Sequence, residues 1–179
     1  MNIVFFGASR LGYECCDLLL KNNYKIKGIF TIPQKFNIKY KKKQTEKVEN
    51  VLFKDFKILG QKYDIPVFII NQDIKNYFSD FEALKPDFAL VIGWYYLLPK
   101  KFCNLLKKGA AGIHGSLLPK YRGNAPLVWA MINGEKETGV SFFYFDDGVD
   151  TGDVIGQKSF TVESKDTIND ALKKTTIAA

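Results

Sequence analysis

The stretch from Asp87 to Trp94, DFALVIGW, constrains the fold more than any other part of the sequence. It is an almost uninterrupted apolar run that follows Pro86 and stops at Gly93, which is typical of a central parallel strand buried on both faces. Shorter apolar runs, IVFF near the N-terminus and VFII after Pro66, are separated by stretches with apolar residues at helical spacing. This alternation predicts an α/β fold with an open, mostly parallel sheet and helices on both faces.

Size, charge and cysteine content limit the classes of function. At 179 residues and 46% hydrophobic content, the chain is long enough for one well-buried domain and short for two. The net charge of +7 favours anionic partners such as phosphates, polyglutamates or nucleic acid, although solubility alone explains it equally well. Cys15, Cys16 and Cys103 lack metal-ligand spacing and are odd in number, so we expect neither a metal site nor a disulfide scaffold.

Two further features bear on localisation. No apolar run approaches the roughly 20 residues needed to span a bilayer, and the first residues, MNIVFFGAS, do not resemble a signal peptide. We therefore predict a cytoplasmic protein without a membrane partner.

A glycine turn follows the first apolar run. Gly7 to Gly12 precede apolar residues at helical spacing, so the turn would direct backbone amides and a helix N-terminus towards an anion, with Ser9 and Arg10 beside it. A dinucleotide fingerprint would need a glycine at Ser9 and an acidic residue where the second strand ends at Thr31. The mismatch disfavours a nicotinamide cofactor and leaves a phosphate as the expected ligand.

Residues 32–50 are rich in lysine and show no sustained periodicity, which predicts a mobile basic loop. The loop either folds over a phosphate-bearing substrate or is a solvated insertion. Its lysines are Lys35, Lys39, Lys41, Lys42, Lys43 and Lys47.

The only histidine, His114, stands where the apolar run AAGI ends and a Pro/Gly-marked loop begins. Downstream, the strand-like run VSFFYF leads into an acidic turn that ends at Asp150. Ligands of open α/β sheets bind at the carboxyl ends of strands. We therefore expect His114, the glycine turn and the aromatic loop Trp94 to Leu98 to converge on one active site.

Three long motifs in this region resemble the folate-dependent formyltransferases. They are HGSLLPKYRG from His114 to Gly123, the APLVWA and NGEKETGV that follow, and DGVDTGD from Asp147 to Asp153. The family includes glycinamide ribonucleotide, methionyl-tRNA and sugar N-formyltransferases, which share a Rossmann-like domain. The resemblance implies a catalytic domain over residues 1–162. Residues 163–179 would begin a C-terminal helical element that is truncated, since the helical pattern still runs at the last residue.

The resemblance also implies roles for individual residues. Formyl transfer from 10-formyltetrahydrofolate to an amine would use His114 and Asp150, and Gly112 stands where the family has an asparagine. The pterin ring would lie against Tyr95, Tyr96 and Leu98, and backbone groups of the acidic turn would contact its polar edge. The acceptor's phosphates would be held by a polar group near the histidine and by the glycine turn. The residues of the acidic turn are Asp146, Asp147, Gly148 and Val149. The residues of the predicted phosphate site are Ser9, Arg10, Ser116, Lys120, Tyr121 and Arg122.

Gly112 departs from the family pattern. The asparagine amide would donate to the developing oxyanion, and loss of one such donor typically costs about 2.7–4 kcal/mol in barrier height. Three explanations stay open: another donor such as water, a backbone amide or Asn124 replaces it, the activity is reduced or lost, or the residue has been altered.

The motifs look most like those of the sugar N-formyltransferases. The resemblance therefore implies a nucleotide-linked, dTDP-type amino sugar as acceptor, for surface polysaccharide and lipopolysaccharide O-antigen synthesis, with no nucleic-acid partner and a homodimeric assembly. Three alternatives stay open. They are a methionyl-tRNA formyltransferase core, which normally carries a further RNA-binding domain, a formyltetrahydrofolate hydrolase, and an inactive folate-binding variant.

Overall fold

The computed structural model describes residues 1–40, 44–71 and 73–179, and only the backbone of residues 37–40 and 44–47. The chain divides into two compact units, Met1–Gly109 (unit 1) and Ala110–Ala179 (unit 2), each of which is described by itself. No helix in the described ranges is long and apolar enough to cross a bilayer.

Unit 1 contains a parallel sheet and a separate two-stranded hairpin. The strands of unit 1 are β1 (Ile3–Phe6), β2 (Ile26–Thr31), β3 (Lys35–Tyr40), β4 (Gln44–Glu49), β5 (Val67–Ile69) and β6 (Phe88–Val91). Four of them form one sheet in the order β5-β2-β1-β6, and every neighbouring pair is parallel. The α/β, Rossmann-like prediction is therefore confirmed here, because the apolar runs form the parallel strands that they predict.

The helices of unit 1 connect these strands. They are α1 (Arg10–Lys21), α2 (Lys57–Tyr63), α3 (Phe78–Ala83), which follows a 3₁₀ turn at Ile74–Tyr77, and α4 (Lys100–Cys103). Helix α4 is a single turn. Phenylalanine rings fill the core, where Phe6 stacks on Phe30 with centroids 4.8 Å apart and Phe81 contacts both. All three rings are fully buried.

The predicted mobile loop at residues 32–50 is wrong over its described part. Strands β3 and β4 form an antiparallel hairpin in which Lys35 pairs with Glu49 and Phe36 with Val48. Lysine and glutamate on facing strands mask the hydrophobic alternation on which strand prediction relies. Lys41, Lys42 and Lys43, which belong to the same prediction, lie outside the described residues.

Unit 2 is built on an antiparallel meander. Its strands are β7 (Ala110–His114), β8 (Glu137–Tyr144) and β9 (Val154–Thr161), and its helices are α5 (Pro126–Ile132) and α6 (Ile168–Ala178). Thr167 caps α6 through a reciprocal capping box with Asp170. The predicted domain boundary after residue 162 stays a prediction.

Gly12 lies where α1 comes closest to the end of β6. A Cβ atom added there would stand 2.3 Å from the backbone oxygen of Ile92. A Gly12→Ala change gains about 1 kcal/mol in helix propensity but costs about 1–3 kcal/mol through overpacking. Because the obstructing atom belongs to the backbone, we expect a net loss of about 1–2 kcal/mol in the free energy of unfolding, measured with urea.

Gly156→Ala is the matched control for this prediction, because a Cβ at Gly156 meets nothing within 4 Å. We expect it to change stability by less than about 0.5 kcal/mol. Equal stability of Gly12→Ala and the wild type would show that α1 does not pack against Ile92 as described.

Candidate active site

His114 is the last residue of β7, and its side chain is 9% exposed. His114 pairs across the sheet with Ser141, and Gly112 pairs with Phe143. Directly opposite residues of antiparallel strands share a face, so these four residues line one face of the meander. The Phe143 ring meets the His114 ring edge-on, with centroids 6.3 Å apart. The imidazole is therefore packed against an aromatic ring on one side.

Asp150 lies beside His114, as the sequence predicts. Asp150 Oδ2 is 3.4 Å from His114 Nδ1 and accepts a hydrogen bond of 2.8 Å from the Gly123 backbone amide. Asp150 has a φ of 51°, in the left-handed region that is unusual for a residue with a side chain. Nδ1 and Oδ2 can hydrogen bond only when one of them carries a proton. The pair is therefore arranged to pass a proton between a ring nitrogen and a carboxylate.

The segment Gly115 to Asn124, here called the active-site loop, is hydrogen-bonded to the side chain of Ser141. The Ser141 hydroxyl is fully buried, donates to the Ser116 carbonyl at 2.7 Å and accepts from the Leu118 amide at 2.9 Å. The Gln157 side chain of β9 donates to the same hydroxyl at 2.8 Å and to the Leu118 carbonyl at 2.9 Å. Two strands therefore fix the middle of the loop.

Three of the predicted phosphate ligands in this loop have structural roles instead. Ser116 is fully buried, and its hydroxyl donates to the Lys120 carbonyl at 2.6 Å, so it is not placed to contact a substrate. The Tyr121 hydroxyl donates to Glu135 Oε1 at 2.8 Å, and Lys120 Nζ lies 3.6 Å from the same oxygen. The carboxylate after α5 thus binds the two side chains that the sequence assigns to a phosphate.

Arg122 is exposed, in contrast to those three residues. Hydrogen bonds from Thr151 and then from the Gly148 amide lower the pKa of Asp146, and the charge of Arg122 adds a smaller effect in the same direction. Arg122 is thus near enough to Asp146 for their charges to interact, and its contact with a phosphate stays a prediction.

The acidic turn from Asp146 to Val149 is exposed, as expected for a segment that meets a ligand. The Gly148 amide, however, donates to Asp146 Oδ1 at 3.0 Å, and the Thr151 hydroxyl donates to the same oxygen at 2.6 Å. The Gly148 amide is therefore committed to Asp146, and the predicted contact between the pterin edge and other backbone groups of Asp146 and Gly148 stays a prediction. Asp147 and Val149 remain predictions.

The glycine turn of unit 1 does not form the predicted anion site. Its amides already have protein acceptors: Gly7 donates to Phe30 O at 3.0 Å, Ala8 to Gly93 O at 3.0 Å and Arg10 to Leu52 O at 2.7 Å. These three amides therefore cannot also donate to a phosphate in this conformation.

The predicted side chains of that turn are also committed. Ser9 caps α1 by accepting from the Gly12 amide at 3.4 Å, and Arg10 pairs with Glu14 at 2.7 Å on the surface. Ser9 is therefore committed to the helix cap, whereas the Arg10 side chain is 61% exposed and its phosphate role stays a prediction.

The aromatic loop after β6 is anchored at Tyr95 and open beyond it. The Tyr95 hydroxyl donates to Asn50 Oδ1 at 2.9 Å, and burial raises the pKa of this phenol, which keeps it protonated. The rings of Tyr95 and Tyr96 pack against Phe36, with centroids 5.3 and 6.1 Å apart. Tyr95 and Tyr96 are 43% and 36% exposed, so each presents a flat apolar surface.

Trp94 adds an unsatisfied donor to the same loop. Its ring packs edge-on against Phe6 and Tyr96, and Nε1 is buried without a hydrogen-bond partner in the described part of the chain. Leu98 is half-buried beside it. The contact of the pterin ring with Tyr95, Tyr96 and Leu98 stays a prediction.

Asn50 is the polar residue that sequence reasoning missed in unit 1. It is 2% exposed, donates to the Ala8 carbonyl at 2.7 Å and accepts from Tyr95. No local signal marks it, because its partners lie 42 and 45 residues away along the chain. Glu135, Ser141 and Gln157 were missed for the same reason. No group of three or more His, Cys, Asp or Glu side chains among the described residues is placed to hold a metal ion.

Comparison with known proteins assigns this arrangement to a family. A formyl transferase family model matches residues 1–178. Methionyl-tRNA formyltransferases of several bacteria are 32–36% identical to the chain, and that of Clostridioides difficile (strain 630) is 36% identical over 156 residues, covering 87% of this chain and 48% of the relative. The chain thus spans about half the length of the curated relatives it matches.

Solved structures share the fold. Phosphoribosylglycinamide formyltransferase from Anaplasma phagocytophilum superposes with a TM-score of 0.78 at 20% identity, covering 99% of this chain and 80% of that one. A sugar 3N-formyl transferase, solved in the presence of dTDP and 5-N-formyl-THF, has a TM-score of 0.70 at 18% identity and covers 99% and 58% of the two chains. At these identities the likeness concerns the fold alone.

The expected acceptor, a nucleotide-linked amino sugar for surface polysaccharide, is contradicted by the relatives. The methionyl-tRNA formyltransferases match at 32–36% identity, whereas the sugar enzyme matches at 18% and in fold only. The residues around His114 and Asp150 do not by themselves distinguish a sugar acceptor from a tRNA acceptor.

Removing the Ser141 hydroxyl should loosen the active-site loop. In a Ser141→Ala variant the buried Ser116 carbonyl and Leu118 amide lose their partner, and an orphaned buried group costs about 1–3 kcal/mol. We expect the free energy of urea unfolding to fall by that amount. Ser159→Ala, on the exposed strand β9, is the control and should stay within about 0.5 kcal/mol of wild type. An equal effect of the two changes would contradict the role of Ser141.

Proposed function

Because the chain belongs to the formyl transferase family, we propose that it is the catalytic part of a methionyl-tRNA formyltransferase. The formyl donor is 10-formyltetrahydrofolate, and the acceptor is the amino group of methionyl-tRNA. The observation that carries the proposal is the contact of 3.4 Å between His114 Nδ1 and Asp150 Oδ2 in a chain whose curated relatives bear that name.

Formyl transfer requires one proton to move and one oxygen to be stabilised. A bond forms between the acceptor nitrogen and the formyl carbon, the bond from that carbon to the folate nitrogen breaks, and a proton passes from the first nitrogen to the second. A proton can be held between His114 Nδ1 and Asp150 Oδ2, so the pair takes up the proton of the acceptor nitrogen and passes it to the folate nitrogen that leaves. His114 is only 9% exposed, and its interaction with the negative charge that develops on the formyl oxygen is stronger in such a water-poor environment.

The donor fits the aromatic loop of unit 1. Tyr95 and Tyr96 present exposed ring surface, and Leu98 is half-buried in the same loop. The donor supplies an activated formyl carbon when bound. The residues of the loop bind and orient its ring and exclude water from it.

A polyanionic acceptor suits the charge of the chain. The net charge is +7, and the hairpin β3–β4 carries Lys35, Lys39 and Lys47. Arg122 is exposed within the active-site loop, next to Gly123, whose amide binds Asp150. Lysine and arginine on one chain neutralise phosphates of nucleic acid in a salt-dependent manner, so formylation should weaken as salt rises.

Asp150→Asn tests the catalytic pair. The amide oxygen still accepts from the Gly123 amide, but the side chain no longer exchanges a proton, and general acid–base catalysis contributes about 10²–10⁴ in rate. We expect formylation of methionyl-tRNA to fall by that factor, measured as formyl-methionyl-tRNA formed from 10-formyltetrahydrofolate. Asp153→Asn, three residues along, is the control and should retain the rate.

The outcomes of this assay separate the candidate functions. Transfer that requires aminoacylated tRNA supports the proposal, and tetrahydrofolate release without any acceptor would identify a hydrolase. Absence of both reactions in the wild-type chain would overturn the enzymatic assignment.

Gly112→Asn tests the missing oxyanion donor. Asparagine at this position would place an amide next to His114 on the same face of the meander, and one such donor is worth about 10²–10³ in rate. We expect a gain of up to that size in single-turnover formylation. Gly112→Ala adds bulk without a donor and is the matched control; a gain in both variants, or in neither, would mean that another group already stabilises the oxyanion.

A further inference from the structure

The active-site loop touches both members of the catalytic pair through its backbone. The Gly123 amide donates to Asp150 Oδ2, and the Tyr121 carbonyl oxygen lies 2.7 Å from His114 Nε2. The second contact determines which ring nitrogen holds a proton. A carbonyl oxygen has lone pairs and no hydrogen, so Nε2 must donate. In the neutral ring Nδ1 is then bare and faces Asp150.

This tautomer is the one that proton transfer with Asp150 needs. If Nδ1 held the ring's proton permanently, Nε2 would present a lone pair to the Tyr121 carbonyl, and the two would repel. The position of one backbone oxygen therefore keeps Nδ1 free to take up a proton on the side of the carboxylate.

Tyr121 holds that oxygen in an unfavourable backbone conformation. Its φ is 55°, in the left-handed region where residues with side chains are rare. Such a conformation persists only when surrounding contacts impose it. The contacts that impose it here must lie on the side chain of Tyr121 or on its neighbours in the loop.

The Tyr121 side chain supplies these contacts. Its hydroxyl donates to Glu135 Oε1 at 2.8 Å and accepts from Asn133 Nδ2 at 3.1 Å. Both partners belong to the turn that ends α5, where the Glu135 amide donates to the Ala130 carbonyl at 3.0 Å. The phenol is thus fixed to a hydrogen-bonded helix end, and its own carbonyl is carried onto the histidine.

We infer that Tyr121 is a positioning residue for His114, and that Glu135 and Asn133 act through it. The phenol anchors the loop, the left-handed backbone aims the carbonyl, and the carbonyl fixes the proton on Nε2. This role rests on the proposed function only where it concerns formyl transfer; the protonation of the ring is a property of the folded chain itself.

The ring can be observed directly because His114 is the only histidine in the sequence. In the ¹⁵N-labelled full chain, at a pH where the ring is neutral, the wild type should show one bare and one protonated imidazole nitrogen. Its Nε2–H proton should persist against exchange with water. Tyr121→Phe keeps the aromatic ring and removes the anchor. We expect its two nitrogen shifts to move towards each other and the Nε2–H signal to be lost.

Matched variants separate positioning from general damage. Glu135→Ala should reproduce the effect of Tyr121→Phe, whereas Glu135→Gln retains an acceptor for the phenol and should preserve the wild-type pattern. Tyr24→Phe removes a phenol that is 53% exposed in unit 1 and should change nothing. If Tyr121→Phe disturbs the backbone amide spectrum as a whole, the Glu135 pair decides in its place.

Kinetics provide the second readout. At metal sites, loss of the residue that hydrogen-bonds to a ligating histidine lowers activity about 10–100-fold. We expect kcat of Tyr121→Phe to fall by a factor in that range, with little change in KM. Wild-type nitrogen shifts and a persistent Nε2–H signal in both Tyr121→Phe and Glu135→Ala would overturn the inference, whatever the activity. A changed ring in a chain that formylates nothing would uphold it and refute the proposed function.

Discussion

The carboxylate oxygen Asp150 Oδ2 is the atom on which the organisation of unit 2 depends. It faces His114 Nδ1 at 3.4 Å and accepts the Gly123 amide at 2.8 Å, so it joins the end of β7, the active-site loop and the acidic turn. Asp150 adopts a left-handed backbone to reach this position, a conformation that typically costs about 1–3 kcal/mol. The hydrogen bonds that hold it offset that cost. A protein that stores strain at one residue in order to aim its side chain is usually using that side chain.

Much of the fold could be predicted from the sequence, because buried parallel strands are apolar over their whole length. The runs at 3–6 and 88–91 form strands β1 and β6 as their patterns indicate. The hairpin β3–β4 could not be predicted in the same way. Its pairing of Lys35 with Glu49 satisfies backbone groups without burying a continuous apolar face, and a periodicity argument detects only burial.

The proximity of His114 and Asp150 could be predicted from the sequence. The residues that hold the active-site loop in place could not. His114 and Asp150 meet as expected, because each follows a strand and carries a recognisable motif. The resemblance implies phosphate contacts for Ser116, Lys120 and Tyr121, but it does not reveal their partners in the folded chain. Ser141 and Glu135, which bind the Ser116 carbonyl and the Tyr121 and Lys120 side chains, are distant in sequence. Hydroxyl and ammonium groups serve structure as readily as they serve ligands. The acceptor was misassigned for a related reason, since motifs that surround the reacting atoms describe the reaction and not the molecule that receives the formyl group.

Asn50 has a consequence that extends beyond packing. Its amide group holds the Ala8 carbonyl on one side and the Tyr95 hydroxyl on the other, and it stands directly after β4. The base of the lysine-bearing hairpin and the aromatic loop after β6 therefore share one buried side chain. Coupling between two binding events is reciprocal, so if a ligand on the rings of Tyr95 and Tyr96 changes the affinity of the hairpin for a polyanion, the polyanion changes the affinity of the rings by the same factor. Asn50 is the side chain through which such coupling would pass.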